Sequence, residues 1–213
     1  MTDTIELDRD GAVWRVTLNR PEKANALNQE MLHTLHDVFA SAAGDEALRV
    51  LTITGAGGRV FCAGADLSEL STNVDDPAPA IWAEMAEALA LIPVLTVAMI
   101  NGACIGGGMT LALGCDLRVS VPEAAFAYPV LRNGIIPGER DATRLRYLIG
   151  PGRSSVLLLG GERIGATEAL AWGLVDRVAE QSDLDHAVAT MSETAINADR
   201  AHLAVIKKCC RGE

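Results

Sequence analysis

Long apolar runs, an excess of positive charge and metal-binding spacings are all missing from this sequence of 213 residues. No apolar run reaches the roughly 18 residues that a membrane-spanning helix needs, so we expect no membrane segment. Lys and Arg number 18 against 28 Asp and Glu, which gives a formal net charge of −10. That balance argues against nucleic-acid binding, which depends on clustered basic side chains.

The cysteines and histidines form no disulfide or metal pattern. The five cysteines have no paired CxxC spacing; they are Cys62, Cys104, Cys115, Cys209 and Cys210. We expect reduced thiols that pack as small hydrophobic side chains. The four histidines form no HxxxH or HExxH motif, so we expect no metal site.

The amino-terminal stretch MTDTIELDRD has acidic residues early and neither a basic start nor an apolar segment. We therefore expect no signal peptide and a cytoplasmic location. The length is that of one domain and is sufficient to bury a core without disulfide or metal support.

Strands and helices alternate in the first half of the chain. Residues 5–18 alternate around Asp10-Gly11, which predicts a β-hairpin, and residues 29–43 have helical spacing behind Asn28 as N-cap. Three apolar runs predict buried strands; they lie at residues 50–54, 92–100 and 117–121. Because parallel strands need a crossover between them, this alternation predicts an α/β layered core with mostly parallel strands.

Helices dominate the predictions for the rest of the chain. One helix is predicted between the runs at residues 50–54 and 92–100, at residues 78–91, after a loop or lid at residues 71–80 that is rich in Ser, Asn, Asp and Pro. Further helices are predicted at residues 143–149, 154–159, 167–172, 182–196 and 201–210.

Two glycine-bearing loops, FCAGAD (residues 61–66) and Gly106-Gly107-Gly108, each follow a strand and precede a helix. Backbone N–H groups at a helix start are unpaired and favour negative charge. Glycine allows a ligand to approach the backbone closely. Two such donors that point to one position form an oxyanion hole. Neither loop has the spacing GxxxxGK[ST] or GxGxxG of a phosphate-binding loop.

With their surroundings, these loops resemble the crotonase family, also called the enoyl-CoA hydratase/isomerase family. The matching stretches are VTLNRPEKANALN (residues 16–28), FCAGADLSEL (61–70), INGACIGGGMTLALGCDLRV (100–119) and GGERIGATEALAWGLVDRV (160–178). This order and spacing is highly specific, and the resemblance covers residues 4–180.

The resemblance implies a crotonase-like spiral of ββα units with a helical C-terminal part, and assembly as a homo-trimer or hexamer. It implies an acyl-CoA thioester as substrate, with coenzyme A as the carrier part and no tightly bound cofactor. The backbone amides of Ala65 and Gly107 are the implied oxyanion donors. Ala24 and Ala63 are implied to contact CoA through their backbones, Ala63 at the adenine.

The two glutamates of the family's hydratases are missing. Thr110 and Val130 stand at their positions, and neither side chain exchanges a proton near neutral pH. Standard two-glutamate hydration is therefore not expected. Isomerase, decarboxylase or hydrolase chemistry on an acyl-CoA fits better.

The stretch GERD, residues 138–141, replaces the small residues that many relatives have at the lip of the pocket. Glu139 is our first candidate for the catalytic acid or base and Asp141 the second. The alternative is that both are first-turn acids of the following helix, favoured there by its dipole. Arg140 and Arg144 are possible partners for these acids.

Four other polar residues near the motifs have predicted roles. Asp66, before LSEL, is expected to cap a helix, and Thr110 to bond back to its own helix. Tyr128 and Arg132 are candidates for lining the acyl pocket, with a structural role as the alternative.

The resemblance divides the chain into an acyl-CoA-binding core at residues 1–180 and a short helical part at 181–213. The family's terminal helices are expected to be missing. For Lys207 and Lys208 we expect a solvated helix end, with contact to CoA phosphates as the alternative.

Two functions follow from these observations. The first is a crotonase-family lyase, isomerase or hydrolase of the kind found in fatty acid metabolism, whose oxyanion hole works with a relocated acid. The second is a non-catalytic acyl-CoA-binding protein or partner subunit that kept the oxyanion loops and lost its acids. The sequence does not identify the acyl group or the reaction.

Overall fold

The computed structural model describes residues 4–66, 68–69 and 80–212. Over these residues the chain forms ten strands and seven helices. The strands are β1 (Ile5–Asp10), β2 (Val13–Leu18), β3 (Val50–Gly55), β4 (Val60–Cys62), β5 (Leu95–Ile100), β6 (Ala103–Ile105), β7 (Leu117–Ser120), β8 (Ala125–Ala127), β9 (Arg163–Gly165) and β10 (Arg177–Val178). The helices are α1 (Gln29–Gly44), α2 (Ala80–Ala90), α3 (Gly107–Gly114), α4 (Glu139–Leu158), α5 (Ala166–Trp172), α6 (Leu184–Ile196) and α7 (Arg200–Arg211).

A six-stranded sheet in the order β1-β2-β3-β5-β7-β10 forms the centre of the protein. The hairpin β1–β2 is antiparallel, and every other pair in this sheet is parallel. Gly11, in the turn between β1 and β2, adopts a positive φ of 56° that a side chain would disfavour. The predicted hairpin and the predicted parallel core are both confirmed.

A second sheet has four strands, in the order β4-β6-β8-β9. The pairs β4–β6 and β6–β8 are parallel, and β8–β9 is antiparallel. Each of its strands has three residues, which is too short to produce a visible alternation in the sequence. The sequence reasoning missed this sheet.

Helix α1 shows why the sequence folds as predicted. The Asn28 side chain accepts a hydrogen bond of 2.9 Å from the Met31 amide, so the predicted N-cap is present. Leu35 and Phe39, spaced four residues apart on one face, are fully buried against the core. Burying a side chain of this size contributes about 1.5–3 kcal/mol.

Some predicted boundaries shift in the structure. The strand predicted at residues 92–100 begins at Leu95, since Pro93 lacks the N–H that a ladder needs. The two helices predicted on either side of residue 150 are the two parts of α4, separated at Gly150, whose φ of 79° and ψ of 166° are not helical, and the first part begins earlier than predicted, at Glu139. The predicted loop at residues 71–80 and the start of the helix predicted from residue 78 lie outside the described residues, apart from Ala80.

The helices at the end of the described chain are joined to the main sheet. Helix α6 packs on β3, β5 and β7. Lys207 and Arg211 of α7 form ion pairs with the largely buried Asp116, at 2.7 and 2.8 Å. The expectation of a solvated helix end is therefore wrong for Lys207, because the ammonium group is drawn inward by Asp116 and the Val94 carbonyl. The division into residues 1–180 and 181–213 stays a prediction.

Candidate active site

One large cavity of about 680 Å³ opens beside the carboxyl ends of the second sheet. Its lining includes both glycine-bearing loops, one side of α2 and the segment from Tyr128 to the start of α4. All four residues proposed for catalysis line it; they are Ala65, Gly107, Glu139 and Asp141. This volume falls within the range typical of small-molecule sites.

The second sheet brings the two glycine-bearing loops together. Strand β4 runs into residues 63–66, β6 runs into Gly106, and the two strands are parallel neighbours. Strand β8, parallel to β6 on its other side, runs into Tyr128. Since the carboxyl ends of parallel strands meet at one edge, all three segments reach the cavity from the same side.

The Ala65 N–H points away from Leu27, which packs against the loop at residues 63–66. The Gly64 carbonyl accepts a hydrogen bond of 2.8 Å from the Leu27 amide. In a trans peptide the C=O and the following N–H point in opposite directions, so the Ala65 N–H is directed away from Leu27. Among the described residues it has no acceptor.

The Gly107 amide is the first of helix α3, and its orientation follows from the same rule. The Gly106 carbonyl accepts from the Met109 amide at 2.8 Å and so points along the helix. The Gly107 N–H therefore points out of the helix start, and it too lacks an acceptor in the part of the chain that the structure describes. A Cβ placed on Gly64 would lie 3.6 Å from the Gly107 nitrogen, so the two loops touch.

The close approach of the two glycine-bearing loops leaves no room for a side chain at Gly108. A Cβ there would lie 2.6 Å from the Cys62 carbonyl oxygen and 3.0 Å from the Cys62 Cβ. Both belong to β4, which is fixed by its neighbours in the sheet.

We expect Gly108→Ala to lower the free energy of unfolding by about 1–3 kcal/mol, because α3 must move away from β4 to relieve the overlap. Urea denaturation measures the change. Gly44→Ala is the matched control, since a Cβ on that residue of α1 meets nothing within 4 Å. Equal stability losses in the two variants would contradict the steric argument.

A cluster of three polar side chains lies in the cavity beside the two glycine-bearing loops. Asp141, in the first turn of α4, is 6% exposed. Its Oδ2 accepts hydrogen bonds from the Tyr128 hydroxyl at 2.5 Å and from the Thr110 hydroxyl at 2.6 Å. The two hydroxyl oxygens are 3.1 Å apart. The Thr110 hydroxyl therefore bonds to Asp141 and lies beside the Tyr128 hydroxyl. The expectation that it bonds back to its own helix is wrong.

Burial changes the acidity of this cluster. Removal from water raises the pKa of Asp141 above its ordinary value, although the hydrogen bonds from Thr110 and Tyr128 oppose the shift. Burial, together with the neighbouring Asp141, also raises the pKa of Tyr128. A buried carboxyl with a raised pKa in a cavity is typical of a group that exchanges protons.

The other carboxyl groups along the cavity are exposed or paired with a cation. Glu139, the first residue of α4, is exposed at the lip. Glu87 forms an ion pair with Arg140, so Arg140 does not pair with Glu139 or Asp141 as the sequence suggested.

Asp66 pairs with Arg20 at 2.7 Å and accepts hydrogen bonds from the Ser68 amide and hydroxyl. These contacts, of which those from Ser68 are the largest cause, lower the pKa of Asp66. Residues 68 and 69 form a turn and a bend, and the helix that Asp66 is expected to cap falls mostly on residues outside the described part of the chain, so the capping role stays a prediction.

Of the two residues implied to contact CoA, Ala63 lines the cavity, as Lys23 does, and Ala24 does not. The Ala63 amide donates to the Ala24 carbonyl at 3.0 Å. The Ala24 amide is also used, since it donates to the Pro21 carbonyl. The Ala63 carbonyl has no donor among residues 4–66, 68–69 and 80–212, and is available to an amino group of a ligand.

Trp82 is a lining residue that the sequence reasoning did not select. A Cβ on Gly107 would lie 2.5 Å from the Trp82 Cη2, so the indole edge packs on the backbone of the Gly107 loop. Trp82 is partly exposed on α2, three residues before the buried Met85. This helical spacing was the available sequence signal for a residue at the border of the core. Arg132, a sequence candidate for the pocket wall, is exposed.

The described residues contain no group of three or more His, Cys, Asp or Glu side chains placed to hold a metal ion. Among the same residues, no helix has the length and apolar character needed to span a membrane. Cys62, Cys104 and Cys115 are buried free thiols, as predicted, whereas Cys209 and Cys210 are exposed and do not pack as expected.

Known proteins resemble this chain over nearly its whole length. Carnitinyl-CoA dehydratase of Escherichia coli strain K12 is 34% identical over 214 residues, which cover 99% of this chain and 81% of that protein. The carnitinyl-CoA dehydratase of Salmonella typhi matches with the same identity and coverage.

Solved structures show the same fold. A putative enoyl-CoA hydratase/isomerase family protein from Hyphomonas neptunium superposes with a TM-score of 0.91 at 30% identity, covering 100% of this chain and 83% of that one. An enoyl-CoA hydratase from Bacillus anthracis gives a TM-score of 0.89 at 30% identity, covering 98% and 83%. The expected crotonase-like fold is confirmed.

The sequence profile described as enoyl-CoA hydratase/isomerase matches residues 8–212. Together with the fold, this match confirms the resemblance carried by the two glycine-bearing loops. The chain therefore belongs to the enoyl-CoA hydratase/isomerase family.

Proposed function

We propose that this protein is an enzyme that forms an enolate from an acyl-CoA thioester, with Asp141 as its acid–base group. Members of the family act on acyl-CoA. The observation that carries the proposal is a buried carboxyl in the same cavity as two outward-pointing amides.

The Ala65 and Gly107 amides are proposed to hold the thioester oxygen. Negative charge develops on this oxygen when a proton leaves the adjacent carbon, and fixed donors stabilise that charge more in the transition state than in the ground state. Removing one donor of this type costs about 3 kcal/mol in other enzymes. Both N–H groups lack an acceptor among the described residues and both residues line the cavity, which supports this role.

Asp141 is proposed as the acid–base group in preference to Glu139. A proton-transfer group works best when its pKa lies near the working pH, and burial moves the pKa of Asp141 upward from the ordinary carboxyl range. Glu139 projects from the lip of the cavity, where water competes for its proton. Asp141 also contacts Thr110, at the position of one family glutamate.

A single buried carboxyl favours reactions in which one group both removes and returns a proton. Double-bond isomerisation meets this condition, and so does a dehydration in which the same carboxyl passes the proton to the leaving hydroxyl. The name of the E. coli relative, a dehydratase, supports the second variant. Lyase or isomerase chemistry is therefore proposed ahead of thioester hydrolysis and decarboxylation.

The proposal is tested by incubating the protein in D2O with a panel of saturated acyl-, enoyl-, 3-hydroxyacyl-, malonyl- and 3-oxoacyl-CoA esters and recording mass spectra. We expect deuterium incorporation next to the thioester in at least one ester, with isomerisation or loss of water in the enoyl or 3-hydroxyacyl esters. Release of free CoA without deuterium exchange would instead identify a hydrolase. Loss of CO2, with one solvent deuterium taken up at the carbon that carried it, would identify a decarboxylase.

A non-catalytic acyl-CoA-binding protein is the second candidate, supported by Thr110 and Val130 at the glutamate positions. Esters that raise the melting temperature and remain unchanged in the mass spectra would establish it and overturn the enzyme proposal. The implied trimer or hexamer stays a prediction, and light scattering measures it.

A further inference from the structure

Both contacts of the Asp141 carboxyl involve the same oxygen atom. Oδ2 accepts from Tyr128 at 2.5 Å and from Thr110 at 2.6 Å. Oδ1 has no hydrogen-bond partner in the part of the chain that the structure describes. The carboxyl is therefore held asymmetrically, with one oxygen fixed and the other left to a ligand.

We infer that Tyr128 and Thr110 are positioning residues, which fix the Asp141 carboxyl through Oδ2 and leave Oδ1 as the atom that exchanges the proton with the substrate. This inference rests on the proposed function and extends it to Thr110, which stands where the family's hydratases have a glutamate, and to Tyr128. All three residues line the cavity beside the oxyanion loops.

The donor count explains why the proton belongs on Oδ1. Each hydroxyl has one hydrogen, and donating it to Oδ2 leaves that oxygen fully occupied. A proton on Oδ2 would displace one of the two hydroxyl donors, whereas a proton on Oδ1 displaces none. The same two bonds survive in the charged and neutral states, so little rearranges when the proton moves.

The three residues come from different parts of the fold, which fixes their geometry. Thr110 belongs to α3, Tyr128 follows β8 and Asp141 lies in the first turn of α4. Thr110 is buried on a helix whose start supplies the Gly107 amide. The carboxyl is consequently tied to the same helix as the proposed oxyanion donor, and the distance between them is set by α3 and not by a loop.

The Thr110 and Tyr128 hydroxyls are the main groups around Asp141 that oppose the effect of burial on its pKa. On its own helix the charged neighbours are Glu139, Arg140 and Arg144, and across the cavity Glu87 pairs with Arg140. The shift in the pKa of Asp141 has burial as its cause, opposed by Thr110 and then Tyr128. Removing either hydroxyl should therefore make the carboxylate harder to form.

The test compares Tyr128→Phe and Thr110→Val with wild type, using carbon-13 NMR of labelled aspartate and Asp141→Asn to assign the signal. We expect the titration midpoint of Asp141 to rise by about one pH unit in each variant, since a hydrogen bond to a charged group has been lost. The acidic limb of the rate profile should move upward by the same amount, so that kcat falls about tenfold at pH values below the wild-type midpoint while KM changes little.

Thr110→Ser restores a hydroxyl and should return both the titration and the rate profile toward wild type. A purely structural pair would lower the melting temperature and leave the midpoint and the pH profile unmoved, which would overturn this inference. Absence of turnover by wild type on every ester would instead overturn the proposed function, while an unmoved midpoint in active variants overturns only the role of the two hydroxyls.

Discussion

Replacing Asp141 with asparagine is expected to lower kcat by about 10²- to 10⁴-fold, the usual contribution of a positioned acid–base group. Asparagine keeps the size of the side chain and an oxygen that accepts from Thr110 and Tyr128, so the cavity should keep its shape. It has no exchangeable acid proton. The measurement is the rate of deuterium exchange or product formation on the ester identified in the panel.

Glu139→Gln is the matched control, because Glu139 lies two residues away on the same helix turn and lines the same cavity. We expect its kcat to stay within a few-fold of wild type. The reverse result, with Glu139→Gln inactive and Asp141→Asn active, would make Glu139 the relocated acid and refute the assignment to Asp141.

Asp141→Asn is also expected to change the stability of the folded protein. Burial raises the pKa of Asp141, so the folded protein keeps this proton to a higher pH than the unfolded chain does. Between the ordinary aspartate pKa and the raised folded pKa, the folded state binds more protons and its stability falls as the pH rises. Asp141→Asn lacks this loss. Its stability relative to wild type should therefore increase over that window, as urea denaturation at several pH values would measure.

Replacing Asp116 with alanine is expected to lower the free energy of unfolding by about 3–5 kcal/mol, the usual cost of leaving a buried cation without its partner. Asp116 pairs with Lys207 and Arg211 of α7, and its Oδ2 also accepts from the Thr96 amide and hydroxyl. The side chains of all three charged residues are at most 17% exposed. Without the carboxylate, α7 loses its charged attachment to the main sheet.

The pH dependence of this attachment provides a second readout. Burial alone would raise the pKa of Asp116, but Lys207 and Arg211 hold it below the ordinary value. The stabilisation is therefore present above the ordinary aspartate pKa and is lost as the pH falls through the lowered folded pKa. In Asp116→Ala this loss should be absent.

Asp185→Ala is the control, since Asp185 pairs with Arg15 on the surface, with side chains 67% and 44% exposed. An exposed pair contributes at most about 1 kcal/mol. Urea denaturation of both variants compares a buried with an exposed pair of the same chemistry. Equal losses would mean that α7 is held by its apolar contacts alone.

Local patterns in the sequence were sufficient for the elements that depend on near neighbours. The β1–β2 hairpin follows from alternation around Asp10-Gly11, and α1 from its apolar face and the Asn28 cap. The glycine-bearing loops and the stretches around them also identified the family, because each of these motifs is a run of adjacent residues. These features need only residues that are a few positions apart.

The choice between Glu139 and Asp141 was open to sequence reasoning but was decided differently there. Residues two apart on a helix face different directions. Asp141 shares its face with Leu145 and Ile149, four and eight residues on, and both are buried. That spacing indicated that Asp141 points inward, whereas Glu139 points to the lip.

The second sheet and the acid cluster depended on the tertiary structure. Strands of three residues are held by partners far along the chain, as when β4 pairs with β6 across about 40 residues, and have no periodicity of their own. Asp141 meets Thr110 and Tyr128 across separations of 31 and 13 residues. The sequence by itself determined the family and the two glycine-bearing loops, because these motifs are runs of adjacent residues. Only the folded chain decided which hydroxyls meet the Asp141 carboxyl beside them, because these hydrogen bonds join residues that are far apart in the sequence.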